Sequence, residues 1–258
     1  MSGADRSPAL LELRQYLLRE DARDTLVRLF DDELVEPQEA CGMEVLGQLR
    51  DVDHARRFVW LRGFGGPDER TAALTRFYGG PVWQAFRDRA NATMVDSDDV
   101  LQLRPHPAGP GLVVRPAARR DEPGDPGAVV LVVVHRQRGR EREVDALALG
   151  ALTDLARAAG LSVRAVLETD SSPNGFPALP VRRASCLVWM ATGPGPEVLD
   201  PVADGLAGVR LLLARRAEEL GLDEVQLDVR RCLPTSRSTL VHEGEAQEGT
   251  ASQTVVSP

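Results

Sequence analysis

The alternation of apolar and polar positions predicts a strand and helix order that occurs twice along the chain. In the first half, strands are predicted at 9–18, 43–51, 57–64 and 100–105, and helices at 21–37, 67–79 and 81–94. In the second half, strands are predicted at 128–137, 161–170, 184–192 and 224–232, and helices at 143–160 and 200–221. Each half has the order βαββαβ, which is the order of the ferredoxin-like motif.

The chain divides into two such units, at 9–105 and 128–240. The segment between them, 106–127, is rich in Pro and Gly, which is typical of a linker. The tail 241–258 lacks core residues, and we expect it to be disordered. A four-stranded sheet with helices on one face leaves its other face open, and two units in one chain can cover each other. The predicted fold class is therefore α+β, with two tandem ferredoxin-like units packed as an intramolecular barrel.

The strand at 57–64, RFVWLRGF, has two unlike faces. Val59 and Leu61 point to one side, whereas Trp60 and Arg62 point to the other. We expect the aliphatic faces of the strands to lie against the helices of their own unit. The polar-aromatic face is either exposed to water or covered, so that its arginines pair with carboxylates and its aromatic rings frame a cavity. Three aromatic side chains on one strand would form an exposed hydrophobic patch in water, which favours the covered arrangement.

Composition and charge argue against several classes of function. The net charge of −8 argues against a broad nucleic-acid-binding surface, and no apolar run approaches the ~20 residues of a membrane span. The N-terminus lacks the features of a signal peptide, so the cytoplasm is the expected location. Three cysteines without CxxC spacing and four scattered histidines give no zinc or disulfide pattern, and we expect no cofactor. All 31 basic residues are arginines and isoleucine is absent, which is typical of a GC-rich, actinobacterial type of genome.

Several linked segments resemble the NIPSNAP family. LELRQYLL, VEPQEACGMEVLGQLRD, RFVWLRGF and FYGGPVWQAFRDRANATMVDSDDVLQLRP occur in this order between 11 and 105, and SSPNGFPALPVRRASCLVWMAT at 171–192 is a weaker match. The resemblance implies the dimeric α+β barrel superfamily, and with it the same duplicated fold. It implies no single activity, because that superfamily includes cofactor-free monooxygenases of polycyclic aromatic substrates, haem-binding proteins and non-catalytic binding modules. Family members often carry a histidine where this chain has Phe86, which removes a base or haem ligand.

We expect the candidate site to combine an arginine with aromatic and amide side chains. Arg62, Asn91 and Tyr78 are the candidate catalytic residues, because a guanidinium can stabilise an anionic oxygen and an amide or hydroxyl can bind a substrate oxygen. The candidate substrate-binding residues are Trp60, Trp83, Phe86, Arg14, Arg104, Asn174 and His135. Structural roles remain as alternatives, such as an ion pair of Arg62 with Glu12 or a turn at Asn174.

Two functions of different classes follow from these residues. The first is a cofactor-independent oxygenase, or a related modifying enzyme, that acts with dioxygen on a polycyclic aromatic or quinol intermediate of bacterial natural-product biosynthesis. The second is a non-catalytic protein that binds a small molecule or a partner in the same cavity. Haem binding is a third hypothesis, with His135 as the axial ligand. Alternation alone leaves open whether the cavity lies between two sheets or between a sheet and its helices, and whether two chains form a homodimer.

Overall fold

The observed strands and helices follow the predicted order. In a computed structural model, which describes residues 7–112 and 127–240, the strands are β1 (Leu10–Leu18), β2 (Glu44–Asp51), β3 (Arg57–Phe64), β4 (Met94–Pro105), β5 (Ala128–His135), β6 (Ser162–Thr169), β7 (Cys186–Gly193) and β8 (Leu227–Pro234). The helices are α1 (Arg23–Leu29), α2 (Val35–Ala40), α3 (Pro67–Tyr78), α4 (Pro81–Thr93), α5 (Glu141–Ala158) and α6 (Leu199–Leu220). A π-helix at Phe30–Leu34 joins α1 to α2, and a 3₁₀ turn at Pro196–Val198 precedes α6. Most of the predicted linker (113–126) and the whole predicted tail (241–258) lie outside the described residues.

The eight strands form one closed barrel in the order β1-β3-β2-β8-β5-β7-β6-β4, and β4 pairs back to β1. The four strands of each half are neighbours, and in both halves the first strand lies between the third and the fourth. The halves meet at two short antiparallel seams, where Leu49–Asp51 pairs with Cys232–Pro234 and Leu103–Pro105 pairs with Leu167–Thr169. Closure leaves the barrel without a free strand edge.

The first helical segment runs further than predicted. A helix over 21–37 is expected to end at Pro37, but the helical chain continues to Ala40. The π-helical turn interrupts the α-helical register, so α2 starts at Val35 and Pro37 falls in its first turn. A proline is tolerated there because the N–H groups of a first turn have no partner within the helix.

The aliphatic faces of the strands fill the barrel, and the expectation that they lie against the helices is wrong. Leu13 and Leu61 from the first half share one buried cluster with Leu131 and Met190 from the second half. The interior of an eight-stranded barrel is just wide enough for side chains to fill, so aliphatic residues from all sides pack there. The opposite face of the first-half strands, which carries Trp60, packs against α1, the π-helix, α2, α3 and α4.

The outer face of the second-half strands packs against α5 and α6. Trp189 is the fourth residue of β7, as Trp60 is the fourth residue of β3, but the other members of its buried cluster are Val, Leu and Ala. The two halves therefore share a strand order and differ in what their helices cover. The first half has a polar and aromatic layer at this place, and the second half has an aliphatic one.

Candidate functional site

Strand pairing places the charged side chains of β1 beside those of β3. Glu12 is paired with Arg62, and Arg14 with Trp60, across the two antiparallel strands. Side chains alternate along a strand, so these residues and Tyr16 share the face that the first-half helices cover. The site therefore lies between the sheet and its helices rather than inside the barrel.

Glu12 is the centre of a buried cluster of ion pairs with three arginines. Its carboxylate oxygens lie 2.9 Å from Arg14 Nη1, 2.7 Å from Arg62 Nη2 and 2.6 Å from Arg70 Nη2. Arg62 and Arg70 also donate hydrogen bonds from Nε to the same carboxylate, at 2.8 and 2.6 Å. None of the four side chains is more than 2 % exposed. The structural pairing of Arg62 with Glu12 is thus present, and it is part of a larger network.

Two amides extend this arginine cluster. Gln38 Oε1 accepts a hydrogen bond from Arg62 Nη1 at 3.2 Å, and Gln38 Nε2 donates to the carbonyl of Leu34 at 2.9 Å. Asn174 Oδ1 accepts a hydrogen bond from Arg70 Nη1 at 3.0 Å. Gln38 belongs to α2, whereas Asn174 belongs to the loop between β6 and β7, so both halves of the chain contribute to the cluster.

The surroundings of Glu12, Arg14 and Tyr16 shift the pKa of each of these groups. Burial alone would raise the pKa of Glu12, but the charges of Arg62, Arg14 and Arg70 outweigh it and hold that pKa well below its usual range. Burial also opposes the charge of Arg14, yet Tyr16 and Glu12 raise its pKa above the ordinary value. Burial raises the pKa of Tyr16, although the Arg14 charge opposes the shift. Glu12 is therefore an ionised carboxylate and Tyr16 a protonated phenol.

An aromatic cavity lies beside the arginine cluster. Its volume is about 30 Å³, and its aromatic lining residues are Tyr16, Phe30, Trp60, Phe77, Tyr78 and Trp83. Arg62 Cζ lies 5.0 Å from the centre of the Trp60 ring and 5.9 Å from that of the Tyr78 ring. A cavity of this volume holds about two water molecules, so a larger ligand requires one wall to move.

The helix α4 has few buried side chains for its length. Ala90 and Thr93 are its buried residues, and Trp83 and Phe86 are partly covered. The glycine pair at 79–80 separates α4 from α3. An element with few buried contacts is displaced at a low cost in free energy.

The loop between β6 and β7 covers the cluster from the side of the second half. The Phe176 ring is stacked on Tyr78, with the ring centres 5.8 Å apart. Asn174 Oδ1 accepts a second hydrogen bond from the backbone N–H of Phe176 at 3.1 Å, and Asn174 Nδ2 donates to the carbonyl of Leu179 at 2.8 Å. Asn174 is therefore a turn former and a member of the site at once, although the sequence presents these roles as alternatives.

The structure brings six of the predicted site residues together. They are Trp60, Arg62, Arg14, Tyr78, Trp83 and Asn174, which line the cavity or belong to the cluster. Phe86 is only partly buried and lies outside the cavity lining, where Arg89 is stacked over its ring. The placement of Asn91 in the site is corrected, because its side chain is exposed to solvent. Eight residues of helix turn the side chain by roughly 80° from the direction of Trp83, which is enough to carry it out of the site.

Arg104 and His135 also lie away from the aromatic cavity, which corrects their expected placement. Arg104 is 56 % exposed and forms an ion pair with Glu168 at 2.8 Å, across the seam between β4 and β6. His135 Nε2 lies 2.9 Å from Asp228 Oδ2, and its Nδ1 lies 3.8 Å from Cys186 Sγ. His135 borders a separate cavity of about 150 Å³ beside the loop that precedes β8.

Sequence reasoning missed Arg70 and Gln38 as site residues. Arg70 is 1 % exposed and shares the buried stripe of α3 with Ala73 and Phe77. A charged residue on an apolar stripe must have a partner in the interior, and this was the available signal. Gln38 has the same signature, because it follows the buried Leu34 by one helical turn.

Within 7–112 and 127–240, no group of three or more His, Cys, Asp and Glu side chains could hold a metal ion. Burial raises the pKa of the Cys186 thiol to about 11, so this thiol stays protonated at neutral pH. In the same ranges, no helix combines the length and the apolar character that a membrane span requires.

No protein-family model matches the sequence, and no curated protein matches it. Among solved structures, an anthrone oxidase-like protein matches with a TM-score of 0.51 at 12 % identity, over 94 % of this chain and 99 % of that chain. A candidate monooxygenase of Lactobacillus acidophilus matches with a TM-score of 0.50 at 12 % identity, over 92 % of this chain and 100 % of that chain. NIPSNAP family proteins are also structural neighbours, and one from Burkholderia xenovorans matches with a TM-score of 0.36 at 20 % identity, over 39 % of this chain and 98 % of that chain. The two full-length matches show that the fold is shared, and in this chain it is a mixed α and β fold with an eight-stranded closed barrel.

Proposed function

We propose that the chain is a cofactor-independent oxygenase, or a closely related modifying enzyme, that acts on a polycyclic aromatic or quinol-type substrate. The observation that carries this proposal is an aromatic cavity in contact with the buried arginine cluster. Flat aromatic walls suit a flat ring system, and buried guanidinium groups stabilise negative charge on its oxygen. The fold shared with an anthrone oxidase-like protein and a candidate monooxygenase supports the proposal.

In the proposed reaction the substrate itself supplies the electrons. The ionised substrate transfers one electron to dioxygen, and the two radicals combine to form a carbon–oxygen bond and a peroxide anion. The peroxide takes up a proton and then eliminates water, so that a ring CH₂ and one O₂ become a ring C=O and one H₂O. The ring carbon loses four electrons and the two oxygen atoms gain four, so the reaction needs no external reductant. The protein has to favour the anion, position it and exclude water.

The proposed role of each side chain follows from its position. Trp60 and Trp83 stack on the ring system, and the Tyr78 hydroxyl donates a hydrogen bond to a substrate oxygen. Arg62 stabilises the negative charge from behind the Trp60 and Tyr78 rings. Exclusion of water from the site strengthens each of these electrostatic contacts. Asn91 is exposed to solvent and has no role in this proposal.

The cavity has to enlarge before such a substrate binds. Its volume of about 30 Å³ is far below the roughly 300 Å³ at which ordinary ligand pockets begin. We propose that α4 moves outward about the glycine pair at 79–80 and closes again over the bound substrate. Closure would keep water away from the anion and the peroxide during the reaction.

The wider context is also a proposal. The equal strand order of the two halves supports a barrel built from two tandem ferredoxin-like units, at 9–105 and 128–240. The absence of lysine and isoleucine is typical of a GC-rich, actinobacterial type of genome. A role in natural-product biosynthesis and a cytoplasmic location stay predictions. Association of two chains into a homodimer stays a prediction, which sedimentation equilibrium would test.

Oxygen uptake tests the proposal, with Trp60→Phe and Trp189→Phe as matched variants. Metal-free protein is mixed with anthrone and with a panel of aromatic quinols in air-saturated buffer, and oxygen is followed with an electrode. We expect uptake above the spontaneous rate, reduced by roughly tenfold or more in Trp60→Phe and little changed in Trp189→Phe. The two tryptophans are 2 % and 1 % exposed at equivalent strand positions, so a general loss of packing affects both variants alike. Uptake at the spontaneous rate with every compound, or equal losses in the two variants, would contradict the proposal.

A non-catalytic protein that binds a small molecule or a partner is the alternative function. The small volume of the cavity favours it, because a small aromatic cavity beside buried charges can bind a ligand without any chemistry. Calorimetric titration of the same compounds under nitrogen separates the two functions. Binding under nitrogen without oxygen uptake in air would support the binding protein.

A further inference from the structure

We infer that the aromatic cavity selects anionic aromatic ligands, and that the arginine cluster, without a general base, determines this selection. The ligand class is a ring system that carries an ionised carboxylate or phenolate. The inference rests on the proposed function for the location of the binding site, and it is independent of the oxygen chemistry.

The arginine cluster carries more positive than negative charge. Arg14, Arg62 and Arg70 contribute three positive charges, and the one carboxylate that contacts them among the described residues is Glu12. Among the described residues, two positive charges therefore remain without a carboxylate, on side chains that are at most 2 % exposed. A buried charge without a counterion lowers the stability of the protein, and a bound anion removes that cost. The surplus thus favours a ligand with one or two negative charges.

One buried donor in the cavity wall, Trp60 Nε1, has no hydrogen-bond acceptor among the described residues. Arg62 Nη2 and Arg70 Nη2 are occupied by the Glu12 carboxylate, at 2.7 and 2.6 Å. Buried donors in folded proteins are nearly always satisfied, so an unsatisfied donor in a cavity wall indicates a ligand that accepts a hydrogen bond.

Two residues connect the cavity to the arginine cluster. Tyr16 lines the cavity, and its hydroxyl oxygen accepts a hydrogen bond from Arg14 Nε at 3.0 Å, which leaves the hydroxyl hydrogen free to be donated to a ligand. Gln38 also lines the cavity and accepts a hydrogen bond from Arg62 Nη1 at 3.2 Å. An anion that contacts this wall is separated from two arginines by one side chain each.

The cavity lining offers no base that could remove a proton from a neutral ligand. The lining residues that the structure describes include no carboxylate, histidine or cysteine. Burial raises the pKa of Tyr16 despite the Arg14 charge, so its phenol stays protonated. Glu12, which lies behind the wall, is a poor base, because the three arginines hold its pKa low in spite of its burial. A ligand must therefore enter as an anion or ionise in the field of the arginines.

Binding of 1-naphthoate and of 1-naphthamide to the full chain tests the inference. The two probes share a ring system and differ in charge. Both are larger than the cavity, so the free energy needed to move α4 is the same for both. We expect 1-naphthoate to bind at least roughly tenfold more tightly at pH 7, measured by calorimetry or by tryptophan fluorescence. Equal affinities, or the absence of 1-naphthoate binding, would overturn the inference.

Gln38→Glu changes the surplus charge with almost no change in shape. The new carboxylate would lie where the amide now contacts Arg62, so the surplus falls from two charges to one. We expect the affinity for 1-naphthoate to fall roughly tenfold while that for 1-naphthamide stays within about twofold. Gln226→Glu makes the same change at an exposed position of the second half and should alter neither affinity. An unchanged preference for 1-naphthoate in Gln38→Glu would overturn the inference, and if that variant does not fold, the comparison of the two probes in the unmodified chain decides.

The results distinguish this inference from the proposed function. Preferential binding of 1-naphthoate together with no oxygen uptake on any quinol supports anion selection and contradicts the oxygenase. Oxygen uptake with equal affinity for the charged and the neutral probe supports the oxygenase and overturns anion selection.

Discussion

Replacing Glu12 by glutamine removes the carboxylate that holds Arg14, Arg62 and Arg70 together, at almost constant volume. The three ion pairs, at 2.9, 2.7 and 2.6 Å, are at most 2 % exposed, so water cannot replace the lost charge. Removing one partner of a buried ion pair costs about 3–5 kcal/mol. Because one carboxylate serves three arginines, we expect a loss near the upper end, about 5 kcal/mol of the free energy of unfolding. For a chain of this size, that loss lowers the melting temperature by roughly 10–20 °C.

Urea and thermal unfolding followed by circular dichroism measure this loss. The control is Glu219→Gln, because Glu219 is 46 % exposed and pairs with Arg216 on the surface of α6, where a change below about 1 kcal/mol is expected. The folded-state pKa of Glu12 is lowered, so its stabilisation is present above the ordinary value of 4.5 and is lost as the pH falls below it. The difference between the unmodified chain and Glu12→Gln should therefore shrink in acid. A loss at pH 7 no larger than that of Glu219→Gln would refute the role of Glu12 as the counterion of the cluster.

Three further substitutions test separate parts of the site and its surroundings. Asp31 is 7 % exposed, and burial raises its pKa to about 6, although the hydrogen bond from Thr235 acts to lower it. Ionisation of Asp31 therefore lowers the free energy of unfolding as the pH rises from 3.8 through about 6. Asp31→Asn should raise the free energy of unfolding by about 1–2 kcal/mol at pH 8 and leave it unchanged near pH 4, and equal effects at both pH values would contradict this. Asn174→Ala leaves Arg70 Nη1 without its acceptor and should cost about 1–3 kcal/mol and speed proteolysis within 171–183, whereas Asn91→Ala at an exposed position should change neither. Gly80→Ala would place a Cβ 2.8 Å from the Arg76 carbonyl oxygen and 3.2 Å from that of Phe77, so we expect α4 to shift and the melting temperature to fall. Gly150→Ala in α5, where the new Cβ meets nothing within 4 Å, should instead stabilise the chain by about 0.5–1 kcal/mol, and the same sign in both variants would be evidence against a close contact between Gly80 and the last turn of α3.

The strands and helices could be predicted because their signals are local. Alternation in RFVWLRGF depends on the geometry of a single strand, and the observed β3 has the predicted bounds, Arg57–Phe64. The break between α3 and α4 follows in the same way from the Gly-Gly-Pro segment at 79–81. Local signals also identified Trp60 and Arg62 as unusual, because a strand rarely combines a charged residue with large aromatic ones on one face.

The sequence by itself determined the order of the elements, the two unlike faces of β3 and some of the side chains at the candidate site, such as Trp60, Arg62 and Tyr78. Only the tertiary structure decided which face lies inside, because the aliphatic face finds its partners in the other half, and that choice depends on how eight distant strands close into a barrel. The network from Glu12 through Arg70 to Asn174 joins residues that are 58 and 104 positions apart in the sequence. A periodic pattern of apolar and polar residues does not indicate contacts between residues so far apart. The energy of a buried ion pair depends on the distance between its charges, so it can be assessed only from the folded structure.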